Sequence, residues 1–244
     1  MNTLEYFKKV YDQVPDWVQA MHDYVPSALE YYTKLRNEIM VDGALSKKEK
    51  ELILVGVNAA RRYEKSMIFH TKGAVDSGAT IEEIVEAITP CILSRGIPAW
   101  FEGVKAIDYA REYMGGKKTG ENLVVSTPVD TFQTVDDAVQ YFKEEAGGTF
   151  PEWANKLKEE AEHALLHYGQ LRSGILKDGH LSRKMKELIL VGINVSERYP
   201  KGVELHVNGA RRFGATNAEL AEVALVGLLT AGIPAWFEIT DFIK

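Results

Sequence analysis

The chain has 244 residues, 45% hydrophobic and 26% charged, with a net charge of −6. Those values suit a soluble globular protein with a substantial core, and the interspersed charges argue against a nucleic-acid partner. A single cysteine, Cys91, excludes an intrachain disulfide and a cysteine-based zinc site. The first residues, Met1 to Glu5, lack a basic region followed by an apolar stretch, so no secretory signal is expected. No apolar run reaches 18 residues, so no membrane span is expected either, and the cytoplasm is the expected compartment.

Residues 17–41 carry apolar side chains at helical spacing and predict a first helix. Ser46, with Glu49 three residues on, predicts a capping box opening a helix over about 47–62. That helix is apolar on nearly all sides (Leu52, Ile53, Leu54, Val55, Val57) and should be buried. A third helix runs from near Tyr63 to a glycine stop at Gly78. Thr80 and Glu83 box a fourth, which Gly96-Ile97-Pro98 breaks before starting a fifth. The glycine-rich stretch from Gly115 to about Val135 predicts a linker.

Beyond the linker the pattern returns. Sliding the chain by 136 positions superposes Val14 to Asp108 on its second half without a gap, with 41 of 95 positions identical. Pro15 and Trp17 fall on Pro151 and Trp153, and Glu51 to Gly56 on Glu187 to Gly192. Gly96 to Glu102 recurs at Gly232 to Glu238, and Thr216 with Glu219 repeats the box of Thr80. Tyr6-Phe7-Lys8 is echoed at Tyr141-Phe142-Lys143, one residue out of register. The expectation is an all-α tandem repeat packed as a pseudo-symmetric pair: unit one over 1–114, a linker over 115–135 and unit two over 136–244.

Several polar residues also recur. Glu51, Asn58 and Arg62 share one side of the second helix, as do Glu187, Asn194 and Arg198. Such a stripe on an apolar helix is either a buried network or the lining of a pocket. His70 and His206 are the only histidines that recur, each two turns after a recurring tyrosine, Tyr63 or Tyr199. Histidine titrates near neutrality, and a nearby carboxylate can orient it. Arg62, Tyr63 and Lys65, like Arg198, Tyr199 and Lys201, cluster where the third helix begins, as surface cations or a carboxylate site. Trp100 and Trp236 suit a core, a subunit contact or a ligand wall. Glu160, His163 and His167 have metal-ligand spacing, but Tyr24, Ser27 and Tyr31 stand at the corresponding positions, and no metal is expected.

These residues carry a family resemblance. Leu181-Ser182, Glu187-Leu188-Ile189, Glu204-Leu205-His206, Gly209-Ala210, Gly214-Ala215-Thr216, Glu219, Glu222 and Ala231 to Ala235 resemble the carboxymuconolactone decarboxylase signature. Leu45-Ser46, Glu51-Leu52-Ile53, His70, Gly73-Ala74, Gly78-Ala79-Thr80, Glu83, Glu86 and Gly96 to Ala99 match it in the first unit. The resemblance implies an alkylhydroperoxidase-like helical unit, present twice. In the peroxidase branch of that family a glutamate, a Cys-x-x-Cys pair and a histidine relay protons. Here the frame is Glu51, Tyr63, Ser66, His70 and Glu187, Tyr199, Gly202, His206, without either cysteine, so thiol peroxidase activity is not expected. The lactone decarboxylase branch uses no cofactor. It implies a proton donor at His70 or His206, tuned by Glu51 or Glu187 and assisted by Tyr63, Tyr199 or Ser66. The small carboxylated substrate would be held by Arg62, Arg198, Asn58, Asn194, Trp100 or Trp236. A non-catalytic binding or assembly role stands as the alternative. The resemblance further implies a homo-oligomer, three tandem chains giving six units.

Overall fold

The structure, a computed structural model, describes residues 2–115 and 132–243. Helices alone make up its regular structure among the described residues. The first unit runs α1 (Thr3–Tyr11), α2 (Asp16–Tyr24), α3 (Pro26–Ile39), α4 (Lys47–Ala60), α5 (Glu64–Asp76), α6 (Ile81–Ile88), α7 (Cys91–Arg95) and α8 (Ile97–Tyr113). The second runs α9 (Val135–Glu145), α10 (Glu152–Leu176), α11 (Arg183–Glu197), α12 (Pro200–Arg212), α13 (Asn217–Ala231) and α14 (Ile233–Phe237). Most of the expected linker lies outside the described residues; Thr134 caps α9 at its far end.

Local chemistry starts and stops these helices where the sequence says. Ser46, Thr80 and Thr216 each accept the backbone N–H three residues on, and the glutamate there reaches back to the cap, each box stabilising its helix by about 1 kcal/mol. Gly78 and Gly214 stop α5 and α12 in a left-handed conformation, φ 88° and 86°, which only glycine adopts without strain.

Two boundaries depart from expectation. The helix expected over 17–41 divides at Val25 (φ −143°, ψ 58°), before Pro26, which disfavours helical backbone in the preceding residue. The second unit bends at the matching residue, Ala161 (φ −157°, ψ 73°), where Glu162 replaces the proline. The bend therefore belongs to the packing, and Pro26 merely suits it. Pro90 divides the expected fourth helix into α6 and α7; Val226 stands there in the second unit, and α13 runs through.

One apolar core spans both units, with α4 and α11 at its centre and every side chain from Leu52 to Val55 and from Leu188 to Val191 buried. The two helices cross closely at Gly56 and Gly192. A Cβ on Gly56 would lie 2.7 Å from Ile189, and one on Gly192 2.9 Å from Ile53. Reciprocal polar clasps flank the crossing. Glu222 accepts the N–H groups of Ala44 (2.9 Å) and Leu45 (2.8 Å) and pairs with Lys50 (3.0 Å). Glu86 accepts the N–H of Leu181 (2.7 Å) and pairs with Lys186 (3.0 Å). Gly43 and Gly179 lie beneath these carboxylates, where a Cβ would clash at 2.1 and 2.2 Å. Near the pseudo-twofold axis, position 61 meets its own counterpart: Arg61 faces Glu197 at 3.7 Å. Two identical units would bring like charges together there, and two sequences in one chain allow a complementary pair.

Satellite clusters complete the units. Phe7, Tyr11, Val18 and Leu29 gather α1 to α3; Phe142, Ala154 and Leu165 gather α9 and α10. Phe7 meets Trp17 edge-on at 5.2 Å, and Phe142 meets Trp153 likewise at 5.2 Å. These clusters roof the two cavities below.

Candidate active site

Each unit buries one glutamate on its central helix against one histidine on the next. Glu51 on α4 is 1% exposed, and its Oε2 lies 2.7 Å from His70 Nδ1 on α5; Glu187 and His206 on α11 and α12 repeat the 2.7 Å contact. Glycine makes room for it. A Cβ on Gly73 would lie 2.6 Å from the Glu51 carboxyl carbon, and one on Gly209 2.8 Å from that of Glu187. A carboxylate that accepts from Nδ1–H fixes the imidazole and leaves Nε2 to exchange a proton.

His70 faces a cavity of about 280 Å³ beneath Trp17 and Tyr32, with Tyr63 and Ser66 on its wall. His206 faces one of about 410 Å³ with Trp153, Tyr168, Asn194, Tyr199 and Gly202. Each cavity is completed by the other unit: Leu229 and Thr230 line the first, Leu93, Ser94 and Arg95 the second. Thr230 is held by Arg61, which donates to its carbonyl at 2.5 Å.

Each cavity also holds a buried arginine that sequence reasoning did not single out. Arg36 on α3 is 3% exposed and donates to the Tyr6 hydroxyl at 2.6 Å; Arg172 on α10 donates to Tyr141 at 2.7 Å. Their Nη2 atoms stand 3.8 Å from Glu51 and 3.9 Å from Glu187. Burial opposes the charge on Arg36, but Tyr11 and Glu51 outweigh it and hold the guanidinium firmly protonated. Arg36 Nη2 is buried with no hydrogen-bond partner among the described residues. The signal available in the sequence was recurrence: Arg36 and Arg172 coincide when the chain is shifted by 136 positions, as do Tyr32 and Tyr168.

The second cavity is backed by a larger ionic network. Arg183 donates through Nε (3.0 Å) and Nη2 (2.8 Å) to Glu187 Oε1, and through Nη2 to Glu145 (2.7 Å). Glu145 also accepts from Arg172 and from Arg212. Burial alone would raise both carboxyls. Arg172 and Arg183 outweigh it at Glu145, holding its pKa at about 2. At Glu187 the His206 hydrogen bond and the same two arginines hold the carboxyl below the usual range.

Other expected site residues fall elsewhere. Asn58 and Asn194 donate to the carbonyls of Leu54 and Leu190, both at 2.7 Å, which satisfies part of each amide within its own helix. Asn194 also lines the second cavity, and Asn58 Oδ1 lies 3.5 Å from the Thr230 hydroxyl. Arg62 and Arg198 are exposed, off both cavities, at left-handed turns with φ 55°; Arg198 donates to the Ala231 carbonyl at 3.1 Å. Trp100 and Trp236 pack against the core and line neither cavity. Among the described residues no three His, Cys, Asp or Glu side chains converge as a metal site; His163 lies 3.9 Å from Glu162, and His167 hydrogen-bonds Gln170 at 3.1 Å. Cys91 is buried in the core, and burial pushes its thiol up to about 12, so it stays protonated and unreactive at neutral pH.

Comparison with known proteins agrees with this architecture. The carboxymuconolactone decarboxylase family matches the chain twice, over residues 26–109 and 163–243. A crystal structure from Burkholderia xenovorans LB400, named as a candidate gamma-carboxymuconolactone decarboxylase subunit, superposes with a TM-score of 0.68. It shares 22% identity and covers 96% of this chain and 92% of its own. The uncharacterized protein MJ1511 of Methanocaldococcus jannaschii is 29% identical over 90 residues, 37% of this chain and 84% of that protein.

Proposed function

This chain belongs to the carboxymuconolactone decarboxylase family, and on that premise we propose that it decarboxylates, or moves a proton on, a small carboxylated lactone or enol acid without a cofactor. The observation that carries the reading is the buried Glu–His pair, opening with a buried arginine onto one cavity, in both units.

The chemistry asks little more. When the carboxylate leaves as carbon dioxide, the electrons of the broken C–C bond pass into the conjugated lactone, giving a dienolate. That carbanion takes one proton at carbon. His70 or His206 in its imidazolium form supplies it from Nε2 and is reprotonated from solvent. Glu51 or Glu187 holds the ring and stabilises the imidazolium. Arg36 is the one lysine or arginine among the described residues lining the first cavity. It steadies negative charge that begins on the carboxylate and moves to the lactone oxygen. Tyr63, Tyr199 and Ser66 can hydrogen-bond the ligand from the cavity wall. Arg36 takes the anion-holding role in this scheme; Arg62 and Arg198 are exposed and line neither cavity.

Thiol peroxidation finds no support: Tyr63, Ser66, Tyr199 and Gly202 occupy the cysteine positions of that branch, and Cys91 is buried. Self-association is part of the proposal. Ile97 and Phe101 are 66% and 74% exposed, and their counterparts Ile233 and Phe237 are 52% and 62% exposed; recurring apolar residues of this kind suit contacts between tandem chains. No described helix is long and apolar enough to cross a membrane.

The test is turnover by the purified protein on γ-carboxymuconolactone, related β-keto and enol acids, and an organic hydroperoxide with a thiol donor. Carbon dioxide release that disappears in the His70→Ala/His206→Ala double variant is expected. Absence of both turnover and thermal stabilisation with every acid would remove the decarboxylase reading in favour of a non-catalytic role.

A further inference from the structure

The two arginines are held alike, each by a tyrosine hydroxyl and each at nearly the same distance from the glutamate that holds its unit's histidine, 3.8 and 3.9 Å. They differ in what else touches them. Glu145 places a carboxylate on Arg172 and shares it with Arg183 and Arg212. In the register that pairs Tyr6 with Tyr141, Val10 stands where Glu145 stands. Lys47 and Asp76 stand where Arg183 and Arg212 stand. Tyr11, whose ring Arg36 overlies at 5.5 Å, lines the first cavity. No carboxylate hydrogen-bonds Arg36 among the described residues, and its Nη2 is a buried donor without an acceptor.

We infer that Glu145 acts as a built-in carboxylate on Arg172, so that the first cavity alone takes a carboxylate ligand and the second takes an uncharged one. This rests on the reading that the cavities bind small carboxylated substrates, and it deepens that reading by assigning the anion to one unit. A buried guanidinium with an unfilled donor gains most from an incoming carboxylate. Arg172 already has that partner, and a second carboxylate beside Glu145 would meet like charge. The remaining cation of the second cavity, Arg95, is engaged too: it donates to the Ser94 carbonyl at 2.8 Å and lies 3.5 Å from Glu197. Gly202, at the position of Ser66, takes a hydroxyl off the wall of the larger cavity.

The probe is 2-furoate, an oxygen-containing five-membered ring bearing one carboxylate. It is titrated into the full chain, with calorimetry giving stoichiometry and the imidazole signals of ¹⁵N-histidine-labelled protein reporting each cavity. The expected result is one furoate per chain, shifting His70 and leaving His206 in place. Glu145→Gln should add a second furoate that shifts His206, and Val10→Glu should weaken binding at His70 by roughly tenfold or more. Should Glu145→Gln fail to fold, as circular dichroism would show, the wild-type signals and Val10→Glu still decide. Equal shifts of His70 and His206 in the wild type would overturn the inference and leave the carboxylate reading standing. So would a folded Glu145→Gln protein without a second furoate. Furoate bound in neither cavity, in either protein, would overturn both.

Discussion

Among the described residues of the first unit Glu51 meets one hydrogen-bond donor, His70, and one more distant cation; in the second, Glu187 meets His206 and two donor atoms of Arg183. The Glu–His geometry is the same, yet the surroundings are not. The second pair sits in a network in which each buried charge has a bonded partner, and such a network specifies one rigid arrangement. The first leaves an arginine donor unfilled. A buried polar group without a partner costs stability, and natural proteins keep such groups where a ligand will supply the partner. Duplication thus lets one copy be satisfied internally while the other stays open.

The comparison can be broken by experiment. The largest effect is expected on turnover: His70→Ala should lower the rate of carbon dioxide release by roughly 100-fold or more, and His206→Ala by far less. Equal losses in steady-state assays would make the two sites equivalent. On stability, Glu187→Gln should cost about 3 kcal/mol in urea unfolding, because it leaves Arg172 and Arg183 under-compensated in the interior. Glu51→Gln should cost a similar amount, because it strips buried Arg36 of the carboxylate nearest it; a loss well under about 1 kcal/mol would show that Arg36 does not depend on Glu51.

Glu145 provides the pH test. Its carboxyl lies at about 2 in the folded protein against an ordinary 4.5. A depressed pKa contributes stability that is complete above the unfolded value and lost as pH falls through the folded one. Acid unfolding should therefore show a loss of about 2 to 3 kcal/mol between pH 4.5 and 2. Glu145→Gln should flatten that slope; an unchanged slope would assign it to other carboxylates. Gly209→Ala should cost about 2 kcal/mol and Gly73→Ala about 1 kcal/mol, since Glu187 is pinned by Arg183 and can yield less to a new Cβ. The smallest change belongs to the half-exposed pair at the pseudo-twofold axis. Arg61→Ala should cost under about 1 kcal/mol, and Arg61→Glu should be rescued by Glu197→Arg if the two act as a pair.

Much of this was legible in the sequence. The superposition of 95 positions at a shift of 136 brought out the two units, the capping boxes located α4, α6 and α13, and recurrence brought Glu51, His70, Glu187 and His206 forward as a set. Arg36 and Arg172 recurred as plainly. They went unassigned because an arginine on an amphipathic helix ordinarily points to solvent, and only the roof of α1 and α9 buries them. Arg62 and Arg198 drew attention by standing before a helix N-terminus, but a left-handed turn carries both onto the surface. The completion of each cavity by the other unit leaves no local pattern, since Leu93 and Leu229 look like any core leucine until the halves are packed.

What the sequence determined by itself was periodic or local: helical spacing, caps, glycine stops, duplication and the presence of a single cysteine. Those follow from backbone geometry within a few residues, or from direct comparison of the two halves. The tertiary structure decided what depends on contacts between distant segments. It set the bend that Val25 and Ala161 share with and without a proline, the glycine crossing of α4 and α11, the burial of Arg36, and the placement of Glu145 on Arg172. A residue's charge is written in the chain, but whether that charge is neutralised or open to a ligand depends on which other segment folds against it.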